Sequence, residues 1–346
     1  MKKILPWVAL VVVVAALLDF GGGSSDPGPW DETNASGLQV IEMELPDIQV
    51  ACTDPPRCSE DYIGFLGVAV EHARPRDEAA YDALFGPPAE QDDDDSAPAV
   101  DGVTLRDAVV EATGLAPLLE GLDERELLVA ERSNTPGPTG HELRLIFEDP
   151  FVGVFEAMLL LPHGDGPHPV VVAHPGIGAT LEDWRDRLGG PLSAGGVGVL
   201  VLQPRALDAG RIGGDANAQL LRAGFTLIGL RIYETLLMRK YLRWLPDADP
   251  DRVGLIGEGE GAAVGNLALR VEPGWAAYAT DGATPFVPSR VGGLVWARSV
   301  PGLGPWQERI DDFASATVPV HVASPGYGDG PGGLTEFLTT TLRPGR

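Results

Sequence analysis

Residues 253–261 read Val253-Gly254-Leu255-Ile256-Gly257-Glu258-Gly259-Glu260-Gly261. An apolar run of strand character ends in alternating glycines, and from Glu260 to about Arg270 the pattern is helical. A buried strand, a tight turn and a helix in succession form the unit from which parallel sheets flanked by helices are built. The same outline fits Gly-x-Ser-x-Gly, in which a serine is held on a sharp strand-to-helix turn. Gly257 and Gly261 stand where the outer glycines of that pattern belong, and Gly259 stands where the serine would be. Glycine has no oxygen with which to attack.

The alternation continues on both sides. Upstream, Glu142–Glu148 and Gly153–Leu161 are predicted as two strands joined at Asp149-Pro150. Pro169–Ala173 and Gly198–Leu202 are short, wholly apolar runs, as strands covered on both faces must be. Thr180-x-x-Asp183 has the form of a capping box. A long amphipathic helix is predicted over Phe225–Leu245, with Ile228, Ile232, Leu236 and Trp244 on its core stripe and Arg231, Arg239, Lys240 and Arg243 around it. Downstream, Trp275–Thr280, Val291–Ala297 and Val318–Ala323 are strand candidates, and Gly333–Leu342 is a terminal helix. The expected fold class is α/β: a mainly parallel sheet flanked by helices, with the hairpin as an antiparallel edge.

This order resembles the α/β-hydrolase fold over roughly residues 140–346. Within that superfamily it is similar to exported esterases of the acetyl-xylan-esterase and dienelactone-hydrolase kind. The likeness is carried by the hairpin running into Pro169–Ala173 and by Asp249-Pro250-Asp251-Arg252-Val253-Gly254 before the turn. The resemblance implies one oxyanion-hole amide around Gly176 and Ile177, and another at Glu260. It implies an acid after a later strand, for which Asp281 is a candidate, and a histidine in the last strand-to-helix loop. That loop reads Gly326-Tyr327-Gly328-Asp329-Gly330 and holds Asp329 but no histidine; none follows His321, which sits mid-strand. Two of the three catalytic groups are therefore missing from their places.

The remaining residues do not replace them. His174 follows Pro169–Ala173 on the oxyanion side and reads as a loop-packing histidine. A carboxylate serves as nucleophile in this fold only from the tip of the turn. Glu258 and Glu260 flank the tip, and their charge opposes a developing oxyanion. Glu260 suits a helix start, where a negative side chain gains about 0.3–1 kcal/mol. Glycine at 259 removes a backbone strain on the order of 1–3 kcal/mol. No catalytic residue is assigned. The turn Gly257, Glu258, Gly259, Glu260 and Gly261 is read as a degenerate elbow, with His174, Gly176, Ile177, Asp281 and Asp329 marking a vestigial pocket.

Two other site classes are considered. Gly257-x-Gly259-x-x-Ala262 fits the dinucleotide fingerprint, with Asp281 as the ribose acid. Against it, several strand units precede the turn, little chain follows Asp281, and Glu258 and Glu260 would face a pyrophosphate. A hard cation at Glu258, Glu260, Asp281 and Asp329 lacks any spaced ligand loop. No cofactor and no metal are expected.

Composition narrows the partners. The 346 residues carry 50 Asp plus Glu against 25 Lys plus Arg, a formal charge of −25. Such a surface repels nucleic acid. Lys2 and Lys3 precede the apolar run Ile4–Leu18, broken only by Pro6 and too short for an ordinary membrane span. Residues 1–18 read as a signal peptide or N-terminal anchor, and residues 4–18 are the one membrane tether in the sequence. The body is expected to be exported: periplasmic, extracellular or N-terminally anchored. Cys52 and Cys58, the only cysteines, are expected to close a small disulfide loop there. Residues 19–38 form a linker, 39–140 an N-terminal extension of unassigned fold, and 141–346 the α/β-hydrolase domain. Within the extension Val103–Leu128 is predicted helical in two pieces, broken near Gly114 and Gly121. The functional expectation is an exported protein of esterase ancestry without serine-hydrolase activity, binding a small molecule, a glycan or a protein. The alternatives are an active carboxylic-ester hydrolase with displaced catalytic groups and a dinucleotide-binding protein.

Overall fold

The computed structural model describes residues 38–41, 78–85, 103–176, 179–203, 210–281, 296, 298–323 and 330–343. All of them belong to one compact unit, Thr33–Arg346. Residues 1–18, Cys52 and Cys58, Ile177, Asp329 and nearly all of Val291–Ala297 lie outside the described residues.

Among the described residues nine strands form one sheet: β1 (Leu38–Ile41), β2 (Leu127–Pro136), β3 (Gly140–Asp149), β4 (Gly153–Pro162), β5 (His168–His174), β6 (Gly198–Leu202), β7 (Ala248–Gly257), β8 (Tyr278–Thr280) and β9 (Val320–Val322). Their order is β1-β2-β3-β4-β6-β5-β7-β8-β9. Strands β2, β3 and β4 pair antiparallel, and β4 meets β6 antiparallel. From β6 through β5, β7 and β8 to β9 every pairing is parallel. This is the α/β-hydrolase type of sheet, with its antiparallel edge and buried parallel centre.

The helices are α1 (Glu78–Ala83), α2 (Leu105–Thr113), α3 (Ala116–Leu119), α4 (Leu181–Trp184), α5 (Gly190–Ala194), α6 (Gly210–Ala223), α7 (Leu227–Trp244), α8 (Glu260–Val271), α9 (Gln307–Asp311) and α10 (Gly330–Leu342). A π-helical turn, Arg185–Gly189, joins α4 to α5. Leu181, Trp184, Leu188 and Leu192 pack with Leu334, Leu338 and Leu342 of α10 against Val171, Ala173, Val199, Val201 and Ile256 of the sheet. Helices α7 and α8 pack on β5 and β7, from the opposite face. No described helix is long and apolar enough to cross a membrane.

The N-terminal stretch holds the largest differences from expectation. Only the first part of Val103–Leu128 is helical; from Leu127 the chain is strand β2. All of β2, and β1 apart from Leu38, fall within 39–140, yet they are hydrogen-bonded into the same sheet as β3. This extension also changes the setting of α7. Arg231, Arg239 and Lys240 were expected around the core stripe but are buried, at 3%, 7% and 4% exposure, whereas Trp244 is 38% exposed. Arg231 pairs within the helix with Glu234 at 3.2 Å, and Arg239 and Lys240 find their partners outside it. Lys240 Nζ donates to the carbonyls of Leu122 (2.9 Å) and Arg125 in the extension. Arg239 donates to Gly274 O at 2.7 Å and pairs with Glu272.

Candidate functional site

The site forms where β5, β7 and β8 end, the edge at which open α/β sheets gather their ligands. Strand β7 is buried from Val253 to Gly257. The chain then reverses within four residues. Glu258 N donates to His174 O (3.1 Å), Gly261 N to Glu258 O (2.8 Å) and Ala262 N to Gly259 O (3.1 Å). Gly259 has φ +54° and ψ −123°, a conformation in which any side chain is strained.

Contact geometry separates the three glycines. A Cβ on Gly257 would sit 2.6 Å from Gly261 O, and one on Gly261 would sit 2.1 Å from His174 O. At Gly259 the nearest atom would be Gly176 Cα at 3.3 Å. The outer glycines are demanded by backbone meeting backbone. The central one would meet only Gly176 Cα, at a tight 3.3 Å, so its backbone conformation is the stronger reason for glycine. The turn thus keeps the tight shape of a nucleophile elbow, and glycine adopts it without strain.

Of the charged residues here only Arg187 and Glu258 pair with each other; Glu260 Oε2, Asp281 Oδ1 and Arg298 Nε are buried with no hydrogen-bond partner among the described residues. Glu258, 8% exposed, is turned away from the tip and takes two hydrogen bonds from the Nη1 and Nη2 atoms of Arg187. Arg187 stands on the π-helical turn, and that pairing holds its guanidinium above its ordinary pKa. Of the two flanking carboxylates expected to oppose an oxyanion, Glu258 is therefore neutralised. Glu260 opens α8; burial pushes its carboxyl up, and the Arg298 charge partly opposes that. Asp281 Oδ2 accepts from Gly259 N at 2.9 Å, so the acid at the end of β8 is bound to the tip of the elbow.

His174 is 4% exposed. Its Nε2 lies 2.7 Å from Thr235 Oγ1, and Thr235 Oγ1 also donates to Arg231 O at 2.7 Å. A hydroxyl has one proton to give, so it accepts from Nε2–H. Burial, with a further push from the Arg231 charge, holds the imidazole pKa down at about 3. The ring is neutral and faces α7. Among the described residues no hydrogen bond joins a Ser, Cys or His side chain to Gly259 or Glu260.

The structure thus gathers Gly176, His174, Asp281 and the whole 257–261 turn at one point. The three polar partners that complete the site, Arg187, Thr235 and Arg298, belong to no motif in the sequence. Asp281, the ribose acid of the dinucleotide alternative, gives Oδ2 to the Gly259 amide and keeps a buried Oδ1 with no hydrogen-bond partner among the described residues. No group of three or more His, Cys, Asp or Glu able to hold a metal occurs among the described residues.

No family model and no curated relative matches the chain. Solved structures similar to it in part include acetyl xylan esterase 1 from Thermoanaerobacterium sp., at 18% identity over 51% of this chain and 57% of that one, TM-score 0.38. A glucuronoyl esterase from Solibacter usitatus matches at 16% identity over 46% of this chain and 52% of that one, TM-score 0.32. The S-formylglutathione hydrolase of Agrobacterium tumefaciens matches at 12% identity over 62% of this chain and 99% of that one, TM-score 0.43. The chain thus spans only about half the length of the first two. The fold class itself rests on the sheet order described above.

Proposed function

We propose that this chain is an exported protein of esterase ancestry that acts by binding a ligand or partner at the elbow edge of the sheet, not by serine hydrolysis. The observation that carries this reading is Gly259: the tip of the elbow has no nucleophilic atom, and its amide is held by Asp281. The neutral, inward-facing His174 supports the same reading, because a general base must reach the proton it takes. Residues 1–18 would direct export, and 141–346 would form the binding domain. The test is treatment of the purified protein with a fluorophosphonate probe, together with assays on p-nitrophenyl esters. No labelling above a heat-denatured control and no turnover are expected; saturable turnover would overturn the reading.

One observation favours a second reading. The Glu260 carboxyl, pushed up by burial, stands beside the elbow tip as an acid–base group. In an active hydrolase with displaced catalytic groups it would serve in proton transfer, and Glu260→Gln would then abolish ester turnover.

A further inference from the structure

The last strand and the last helix form a second candidate site, on the edge of the sheet that β9 makes. A groove of about 340 Å³ lies between them, lined by His321, Gly333, Glu336, Phe337, Thr340 and Thr341. That is within the roughly 300–1,000 Å³ of small-molecule sites. Its floor is an aromatic pair: the rings of His321 and Phe337 stack with centroids 5.2 Å apart and planes 23° from parallel. His321 Nε2 is buried and has no hydrogen-bond partner among the described residues. Native folds rarely keep such an atom unmet.

We propose that this groove binds a small amine cation with an apolar body. The aromatic floor accepts the body and, through its π face, the positive charge. Exposed Glu336 supplies a carboxylate, Thr340 and Thr341 supply hydroxyl oxygens, and no Lys or Arg lines the groove. With its proton on Nδ1, the His321 ring offers Nε2 as one more acceptor. Every polar group of the groove can thus accept from an ammonium. An anion would meet Glu336 and a chain of formal charge −25, which disfavours its approach. A neutral aromatic would gain nothing from the Glu336 carboxylate, which water already solvates. Because Nε2 has no solvent access, the ammonium reaches it only by tilting the stacked ring, so binding must register at His321 itself.

The experiment is a titration of the full chain with benzylamine, followed by calorimetry and by the imidazole resonances of His321. Saturable 1:1 binding with Kd on the order of 1 mM is expected, with the His321 resonances shifting along the same curve. Glu336→Gln is expected to weaken binding about threefold to fivefold, the effect of losing one exposed ion pair. Phe337→Leu keeps the apolar bulk and is expected to weaken it about threefold through loss of the π face. Glu111→Gln, at an exposed carboxylate on α2 outside both sites, is expected to leave binding unchanged, which separates the groove from the overall negative charge. Absence of saturation, affinity in Glu336→Gln and Phe337→Leu equal to that of the unmodified chain, or an unmoved His321 signal would each overturn the proposal.

Discussion

The elbow and helix α7 meet at β7, yet they are held by different forces. At the elbow, backbone lies on backbone: there is no room for one carbon between Gly261 and the carbonyl of His174. Along α7, the tips of long charged side chains reach carbonyls and carboxylates far away in sequence, from Leu122 to Gly274. The first region should fail when an atom is added, and the second when a donor is removed. That difference ranks the substitutions that test it.

The largest effect is expected for Gly261→Ala. Its Cβ would stand 2.1 Å from His174 O and 2.7 Å from the carbonyl carbon, so strand β5 or helix α8 must shift. Overpacking usually costs 1–3 kcal/mol, and a clash with fixed backbone lies at or beyond the top of that range, about 3 kcal/mol or more. Gly259→Ala meets only Gly176 Cα and should lose about 1–3 kcal/mol through its backbone conformation. Urea midpoints of the two variants measure the contrast. Equal losses would mean that the elbow is not held by close backbone contact.

Arg187→Met comes next. It leaves Glu258 buried without its partner, which for a fully buried pair costs about 3–5 kcal/mol. The Arg187 side chain is 40% exposed, so water can answer part of the charge, and about 2–3 kcal/mol is expected. The double variant Arg187→Met with Glu258→Gln should recover most of the loss. If it does not, the pair is not what fixes the π-helical turn to the elbow. Lys240→Met should cost less, about 1–2 kcal/mol. It keeps the apolar stem in place but leaves the carbonyls of Leu122 and Arg125 without their donor. A loss confined to the extension, seen as hydrogen exchange in β2 before β7, would sharpen the comparison further.

The same difference in forces explains what the sequence reveals. Local constraints leave local marks. The glycine spacing at 257 and 261 and the apolar runs at 169–173 and 198–202 are consequences of contact at the position itself, and each led to the observed element. The capping box at Thr180 and Asp183 is of the same kind; both of its bonds form, Asp183 N to Thr180 Oγ1 at 3.1 Å and Thr180 N to Asp183 Oδ2 at 3.2 Å. Burial of charge leaves no such mark. Arg239 and Lys240 read as polar surroundings of the core stripe because their partners lie 33 to 118 residues away. For the same reason β2 is not foreseen, and its first two residues, Leu127 and Leu128, fall in a stretch predicted helical: its strand identity depends on pairing with β3. At the site, Gly259 and Asp281 were legible as residues of interest, but the bond between them was not. Arg187, on a π-helical turn with no sequence signature, could be found only from the fold.

His174 supplies the most diagnostic effect, because it belongs to both regions: its carbonyl presses on the elbow and its ring is bound by α7. In the fold its pKa is held at about 3, against an ordinary 6.5. The unfolded chain therefore binds a proton there between about pH 6.5 and 3 that the folded chain refuses. The stability due to the neutral ring is complete above about pH 6.5 and is lost as pH falls toward 3. Its slope is at most about 1.4 kcal/mol per pH unit. Glu260 works in the opposite sense, since a carboxyl pushed up by burial favours the folded form as pH falls through its folded pKa. Urea unfolding of Glu260→Gln from pH 7 to pH 4 removes that counter-effect and should show a steeper acid loss than the unmodified chain. Adding His174→Gln keeps an N–H for Thr235 and should flatten the profile. An acid loss that survives His174→Gln unchanged would place the acid sensitivity elsewhere and free the ring from the role α7 gives it. The buried neighbours Arg231 and Glu234 pair with each other at 3.2 Å and remain in every variant, so the change in slope reports the imidazole alone.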